Sequence, residues 1–384
     1  MWTGSQVLVW GGSSPFSDGC AVTLTADGAS WTPDPDGRGS WAVMPPAPLA
    51  ARSDAQLWWT GSSAVLIGGY DPWAACETRP AGFLDVAVFT PGATAGAGSW
   101  SRLPDLPWPA ATTVAASTWI GDEDGEGNPG AGRVLAWSPE AGAWSLRVGA
   151  SGWTRLPAPP LTVPNSSVTS PWSSVRSWWT GTEWLLMGRA GSPESVDVGL
   201  AFDPGSSSWR NIDPGPLTDV DVNAVWSGSR LLTFDPLAGL SAFDPAANLW
   251  AATHPGPLDT IGAYAVNGGP ALAWTGTELL VWGGARKARD TSTCIDGDGP
   301  DDPAFRFGGS CNPAPGPLGA AYEPATGSWR TIPDGPWQRR AGSSAVWTGT
   351  SLFLAGGVDL EERRNGALPH SDHPDTAFAL FTPE

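Results

Sequence analysis

The stretch that decides the fold is WTGTELLVWGG at residues 274–284. Its Trp-Thr-Gly start predicts a tight turn, because glycine tolerates positive φ, and the short apolar run that follows favours a β-strand. The stretch returns with its order intact as WTGSQVLVWGG at 2–12, WTGSSAVLIGG at 59–69 and WTGTSLFLAGG at 347–357. A turn and a strand that recur in this way predict a repeat architecture.

The whole chain is organised by this repeat. The tripeptide or a close variant occurs seven times, with repeats beginning near residues 2, 59, 119, 179, 226, 274 and 347. Three repeats continue to an acidic residue followed by Pro, as in Asp203-Pro204, and then to a Trp five residues after that Pro, as in Trp209. The same Trp recurs in three other repeats as Trp41, Trp100 and Trp153. We therefore expect four short strands per repeat, a to d in chain order. A single four-stranded sheet buries too little apolar surface, so the sheets should pack face to face.

The third repeat is the least regular. Residues 132–137 are predicted to be its strand b and residues 153–157 its strand d. A second interpretation makes residues 138–144 a c–d turn, because they imitate the spacing of the other repeats. The first interpretation is preferred, since residues 153–157 match the other d strands better.

Composition excludes several classes of protein. The 384 residues include 50 Gly and 39 Pro without a three-residue period, and 41% are hydrophobic, so a collagen or a disordered chain is excluded. The net charge of −18 disfavours nucleic acid and anionic membrane surfaces as partners. No apolar run approaches the roughly 18 residues of a spanning helix, so no membrane span is expected.

The double glycine, the acidic-Pro pair and the spaced Trp resemble the kelch-repeat β-propeller family, which includes the central domain of galactose oxidase. The resemblance implies an all-β, seven-bladed kelch-type propeller with four-stranded antiparallel blades, and residues 1–384 as a single domain. The first repeat lacks strand a and the last lacks strand d. We therefore expect incomplete ring closure and a chain that is a fragment of a longer one.

Long loops suggest where a ligand binds. In a propeller the b–c and d–a loops share one face, and the b–c connections of blades 6, 7, 1 and 2 are the long ones. Loops on a rigid scaffold often carry function, although neutral loop growth would give the same pattern. Four tryptophans outside the repeat positions are candidates for stacking on a sugar or a peptide side chain: Trp73, Trp108, Trp172 and Trp337.

Three arginines are candidate ligand residues. Arg52, Arg176 and Arg340 are predicted at the start of strand a, where they would surround the mouth of a central channel. Guanidinium groups bind carboxylates bidentately, and the sugar-acid mutarotases that the chain resembles take such a ligand. The alternative is that each arginine pairs with a neighbouring Asp or carbonyl group.

Four cysteines point to an oxidising compartment. Cys20 and Cys76 fall in the b–c loops of adjacent blades, and Cys294 and Cys311 share one loop. We expect the disulfides Cys20–Cys76 and Cys294–Cys311, although four buried thiols would also fit an even count. The disulfides would indicate an extracytoplasmic, secreted or cell-surface protein. No signal segment is visible in this chain.

Metal chemistry has weak support. Two acidic loops resemble calcium-binding loops, because their alternating carboxylates and glycines let oxygens converge on a hard cation: Asp296, Asp298 and Asp301, and Asp122, Asp124 and Glu126. His370 and His373 lie close enough in sequence to share a transition metal. A solvated polar loop is the alternative in each case. The copper site of galactose oxidase is not expected, because the chain has three Tyr and no Tyr-His pair.

These features favour a non-catalytic binding or interaction propeller that needs no cofactor, other than calcium if an acidic loop binds it. Its partner would be a protein or a glycan, and it would be a monomer. The alternative is a carbohydrate-active enzyme, such as a sugar-acid epimerase or mutarotase that uses the channel mouth.

Overall fold

A computed structural model describes residues 1–13, 23–34, 39–71, 82–110, 112–121, 132–161, 175–190, 196–218, 223–235, 239–252, 270–283, 319–332, 340–359 and 378–381. The chain divides into two compact units, Met1–Pro214 and Gly215–Glu384. Within the described ranges the structure is almost entirely β. Its one helix is the short 3-10 turn Gly215–Thr218, and no helix there has the length and apolar character needed to cross a membrane.

The first unit contains four antiparallel sheets, numbered 1 to 4, in which strands that follow one another in the chain are neighbours. Sheet 1 has three strands and sheets 2 to 4 have four. Their strands are β1 (Val7–Trp10), β2 (Gly28–Thr32) and β3 (Ser40–Val43); β4 (Gln56–Trp59), β5 (Ala64–Ile67), β6 (Val86–Pro91) and β7 (Gly98–Leu103); β8 (Ala116–Gly121), β9 (Gly132–Ser138), β10 (Gly142–Arg147) and β11 (Thr154–Arg155); and β12 (Arg176–Trp179), β13 (Trp184–Ala190), β14 (Val196–Asp203) and β15 (Ser208–Asn211).

The second unit contains three more sheets of the same kind, numbered 5 to 7. Sheets 5 and 6 have four strands and sheet 7 has three. Their strands are β16 (Asn223–Trp226), β17 (Leu231–Asp235), β18 (Gly239–Asp244) and β19 (Leu249–Ala252); β20 (Ala271–Trp274), β21 (Leu279–Trp282), β22 (Gly319–Glu323) and β23 (Ser328–Ile332); and β24 (Arg340–Trp347), β25 (Leu352–Asp359) and β26 (Phe378–Phe381).

The four-stranded antiparallel sheets are the blades of an all-β propeller, as predicted, but the predicted count of seven blades is wrong. Among the described residues, five sheets have four strands, whereas sheets 1 and 7 have three. Sheet 1 holds only the end of a strand a, because Trp2 bridges Val7 at the position where the other sheets close their a–b turn. In the third repeat, β9 pairs with both β8 and β10, and β11 is the last strand, which confirms the preferred interpretation.

The core lies between consecutive sheets and follows the two-residue period of the strands. In β21, Leu279 and Val281 pack towards sheet 5, whereas Leu280 and Trp282 pack towards sheet 7. In β5, Val65 and Ile67 likewise pack against sheet 3. A b strand is therefore buried on both faces, which explains why it reads as a continuous apolar run rather than an alternating one.

The threonine of the Trp-Thr-Gly turn has a structural role that the motif did not reveal. The Thr275 hydroxyl accepts hydrogen bonds from the backbone N–H groups of Thr277 (3.2 Å) and Glu278 (2.9 Å). Gly276 follows it with a φ of 107°, a value that favours glycine. The same hydroxyl bonds occur in the turn that begins at Thr180. The motif is thus a side-chain-capped turn.

Candidate functional site

Sheet 2 has a buried arginine at the edge where its strand b ends and its strand a begins. Arg52 is fully buried, with 0% of its surface exposed. Its Nη1 and Nη2 atoms donate to the two carboxylate oxygens of Asp85 at 2.5 and 3.0 Å, and its guanidinium lies 4.0 Å from the centre of the Phe83 ring. Nη1 also donates to the carbonyl of Gly68 (3.1 Å), and Nε to that of Ala50 (2.9 Å). Burying this charge is tolerable because its donors are well paired.

The backbone of Arg52 joins two sheets. Its carbonyl accepts a hydrogen bond from the N–H of Gly12 (2.9 Å), and its own N–H donates to the carbonyl of Thr25 (3.3 Å). A Cβ atom on Gly11 would lie 2.9 Å from that same Arg52 carbonyl oxygen. Gly11, the first glycine of the pair that ends strand b, is therefore required where the segment before the next strand a passes closely.

Next to Arg52 lies a small polar group around Tyr70. Ser53 and Tyr70 exchange two backbone hydrogen bonds of 3.0 Å. Asp54, which follows Ser53, adopts a positive φ of 53°, which is uncommon for a residue other than glycine. Burial raises the pKa of the half-buried Tyr70, and the nearby charge of Asp54 raises it further. Asp71 is buried beside this group.

The first strands of sheets 2, 3 and 4 form a second polar group, which we call the inner-strand network: Gln56, Trp58, Ser117 and Ser177. Ser117 is its centre and is fully buried. The Ser117 N–H and hydroxyl both donate to Oε1 of Gln56, at 2.8 and 2.6 Å, and its hydroxyl accepts from Nε1 of Trp58 at 2.7 Å. The Ser177 hydroxyl donates to the Ser117 carbonyl at 2.7 Å. The network thus links β4, β8 and β12.

The predicted arginines have different environments. Arg52 and Arg340 stand seven residues before the turn tryptophans Trp59 and Trp347, whereas Arg176 stands only three residues before Trp179, so the three do not share one position. Arg52 precedes β4, and its guanidinium is paired with Asp85. Arg176 is half-buried at the start of β12. Arg340 begins β24, where only its backbone is described.

The other predicted site residues divide in the same way. Trp108 is 7% exposed and belongs to the core between sheets 2 and 3, so in this structure it offers no open face for stacking. The remaining candidates lie outside the described residues: Trp73, Trp172, Trp337, Cys20, Cys76, Cys294, Cys311, Asp122, Asp124, Glu126, Asp296, Asp298, Asp301, His370 and His373. Among the residues that are described, no group of three His, Cys, Asp or Glu side chains is placed to hold a metal ion.

Sheets 4 and 6 each have an ion pair that the sequence analysis did not predict. It lies at the edge of the sheet that contains the a–b turn, opposite to the edge where strand b ends. Arg210 donates through Nε and Nη2 to Glu183 at 2.8 and 2.7 Å, and Arg330 donates to Glu278 at 2.9 and 2.7 Å. The hydrogen bond to each Glu is the main cause that raises the pKa of each arginine. The sequence contains a sign of these ion pairs. Only two repeats have a Trp-Thr-Gly-Thr-Glu turn, and the same two repeats have an Arg directly after the strand d Trp.

No protein-family model matches the chain, and no curated protein matches it either.

Proposed function

We propose that the chain is a kelch-type propeller that acts as a non-catalytic binding module, with its ligand held at the edge of the sheets where strand b ends and strand a begins. The observation that carries this proposal is the unequal length of the b–c connections on otherwise equivalent sheets. The proposed partner is a protein or a glycan, and the proposed location is extracytoplasmic.

The strand bounds give those lengths directly. The b–c connection covers residues 11–27 in sheet 1, 68–85 in sheet 2 and 283–318 in sheet 6, but only residues 139–141 in sheet 3 and 236–238 in sheet 5. The sheets differ little in their strands, so specificity for one partner has to come from what differs between them. Long connections on a well-packed scaffold supply that difference.

In the first unit, hydrogen bonds join sheets 2, 3 and 4 each to the sheet before it. In the first unit the strand d tryptophans donate their indole N–H to a proline carbonyl of the preceding sheet: Trp100 to Pro45 (2.9 Å), Trp153 to Pro104 (2.8 Å) and Trp209 to Pro157 (2.8 Å). A binding surface on a rigid support loses less conformational entropy on association.

The alternative, a carbohydrate-active enzyme that uses arginines at a channel mouth, has less support. Arg52 was one of its three arginines, and the carboxylate of Asp85 already occupies its guanidinium.

The test is a screen of the chain against protein and glycan arrays, followed by a variant in which residues 285–318 are replaced by a short Gly-Ser linker. We expect the variant to lose at least tenfold in affinity for any partner found. The matched control is Arg330→Met, at the other edge of the same sheet, which should bind like the original chain. Equal binding by the linker variant and the original chain would refute the proposal.

The location has its own test. Mass spectrometry of the non-reduced chain should find Cys20 joined to Cys76 and Cys294 joined to Cys311. Four free thiols in protein purified from an oxidising compartment would contradict both the proposed disulfides and the location inferred from them.

A further inference from the structure

Proline-rich segments follow the last strands of sheets 1, 2 and 3. The three segments share one pattern, which is an apolar residue and Pro, two variable residues and a second Pro, and they cover residues 44–48, 103–107 and 156–160. We call such a stretch a double-proline segment. Proline fixes φ, so the segment favours the extended polyproline II conformation, which leaves its carbonyl groups open to a neighbour.

Each double-proline segment packs on the strand d tryptophan of the sheet that follows it. The indole N–H of that tryptophan donates to the carbonyl of the first proline: Trp100 to Pro45 (2.9 Å), Trp153 to Pro104 (2.8 Å) and Trp209 to Pro157 (2.8 Å). The residue after the second proline shares an apolar cluster with the same ring, as Leu49 does with Trp100 and Leu161 with Trp209. Strand d of this fold is therefore a surface that binds the double-proline pattern.

Sheet 1 has the same surface on its own strand d, and there it is exposed. Trp41 of β3 holds the position of Trp100 and is 41% exposed, whereas the other five strand d tryptophans are half-buried. Val43, two residues later, is 81% exposed. At that position four other sheets have a polar residue: Arg102, Arg155, Asn211 and Thr331.

Trp41 and Val43 continue an apolar face of sheet 1. The face has two rows of residues that lie opposite one another across the three strands: Val7, Trp31 and Trp41, and Val9, Ala29 and Val43. The alternate residues of β1, Leu8 and Trp10, pack towards sheet 2, so the face points away from the next sheet of the first unit. Val7 and Trp31 are buried, and exposure rises towards β3. A contiguous apolar face that is open at one edge is typical of an interaction surface.

We propose that the surface formed by Trp41 and Val43 binds a double-proline segment of a partner protein. The chain itself identifies this occupant, because the same pattern covers the equivalent tryptophan in sheets 2, 3 and 4. A polyproline segment has little conformational entropy to lose, and aromatic surfaces are what such segments bind. The surface lies on β3, outside the long b–c connections, so this inference goes beyond the proposed function and does not rest on it.

The test is fluorescence anisotropy with a labelled peptide that has the sequence of residues 156–161, Leu-Pro-Ala-Pro-Pro-Leu. The control peptide has alanine in place of Pro157 and Pro160. The first peptide should bind with a Kd on the order of 0.1 mM, and the control peptide about tenfold more weakly. Equal binding of the two peptides, or binding of neither, would overturn the proposal.

Val43 supplies a matched pair of variants. In sheet 2, Arg102 at the same position donates through Nη1 to the carbonyl of the second proline, Pro48 (3.1 Å), so Val43→Arg should keep or strengthen peptide binding. Val43→Glu places a carboxylate against that carbonyl and should weaken binding about tenfold. Both changes replace an exposed valine, so the thermal unfolding midpoint should stay the same. Loss of binding in both variants, or in neither, would overturn the proposal.

Two further measurements separate the alternatives. Trp41→Leu should lose about tenfold in affinity for the peptide, because it removes the ring on which the prolines pack. A dimer of the original chain that Val43→Glu converts to a monomer in sedimentation would show that a second copy covers this surface, and would overturn the proposal. The variant with a Gly-Ser linker in place of residues 285–318 should bind the peptide normally, so the outcome of the array screen bears on the proposed function alone.

Discussion

Replacing Arg52 with methionine should lower the free energy of unfolding more than removing any exposed ion pair of the protein. Methionine keeps most of the apolar stem but removes every donor, together with the guanidinium that lies over the Phe83 ring. Among the described residues, Asp85, whose side chain is 18% exposed, would keep only Arg102 as an ion-pair partner, at 3.7 Å. The buried Gly68 carbonyl would lose its bond from Arg52. Breaking a buried pair on one side costs about 3–5 kcal/mol.

We expect the lower end of that range, about 3 kcal/mol, because Asp85 retains some contact with water and with Arg102. For a unit of this size that corresponds to a fall of about 6–12 °C in the thermal unfolding midpoint. The assay is thermal unfolding followed by circular dichroism and tryptophan fluorescence.

The control is Arg210→Met, which removes an equally bidentate pair whose side chains are 38% and 21% exposed. Exposed pairs contribute at most about 1 kcal/mol. The double variant Arg52→Met with Asp85→Leu should recover part of the loss, since it leaves no unpaired carboxylate. If Arg52→Met unfolds at the same temperature as Arg210→Met, the buried pair does not hold the edge of sheet 2.

Two further predictions concern backbone strain and proton binding. Ser207 has a φ of 52° at the c–d turn position where sheet 6 has Gly327. Because glycine adopts this φ without strain, Ser207→Gly should raise the free energy of unfolding, measured in urea, by up to about 1 kcal/mol. An unchanged free energy of unfolding would show that the turn is unstrained. Since the pKa of Tyr70 is raised in the folded protein, the folded state keeps that proton longer than the unfolded state, and stability should fall as pH rises from the ordinary tyrosine value of about 10 through the folded value. Tyr70→Phe should remove that part of the fall and should also remove one high-pH step from the absorbance titration; an unchanged titration would contradict it.

The fold could be read from the sequence to the extent that each repeat carries its own signals. The turn at Gly276, the apolar run of β21 and the strand d Trp329 are local features, and each appears where its pattern predicts it. The missing strand a of the first repeat and the missing strand d of the last were also predicted, and among the described residues sheets 1 and 7 have three strands. The number of blades could not be read in the same way, because counting Trp-Thr-Gly turns counts these two repeats as full blades.

The candidate site was harder to predict, because its chemistry depends on partners distant in sequence. Arg52 is identified easily as a charged residue near a strand, but its charge is neutralised by Asp85, 33 residues away. Gln56 carries no motif, and its importance arises only from Ser117, 61 residues away in the next sheet. The Glu183–Arg210 pair is the exception, since two repeats share both residues and comparison within the chain could have found it.

The indole bonds of the first unit have a consequence for how the protein is made. Each runs backwards along the polypeptide, from Trp100 to Pro45, from Trp153 to Pro104 and from Trp209 to Pro157. The acceptor has therefore always left the ribosome before its donor. Each of these hydrogen bonds between sheets can form as soon as the new strand d leaves the ribosome, because it needs no later residue. The sheets of the first unit can therefore assemble in the order in which they are translated.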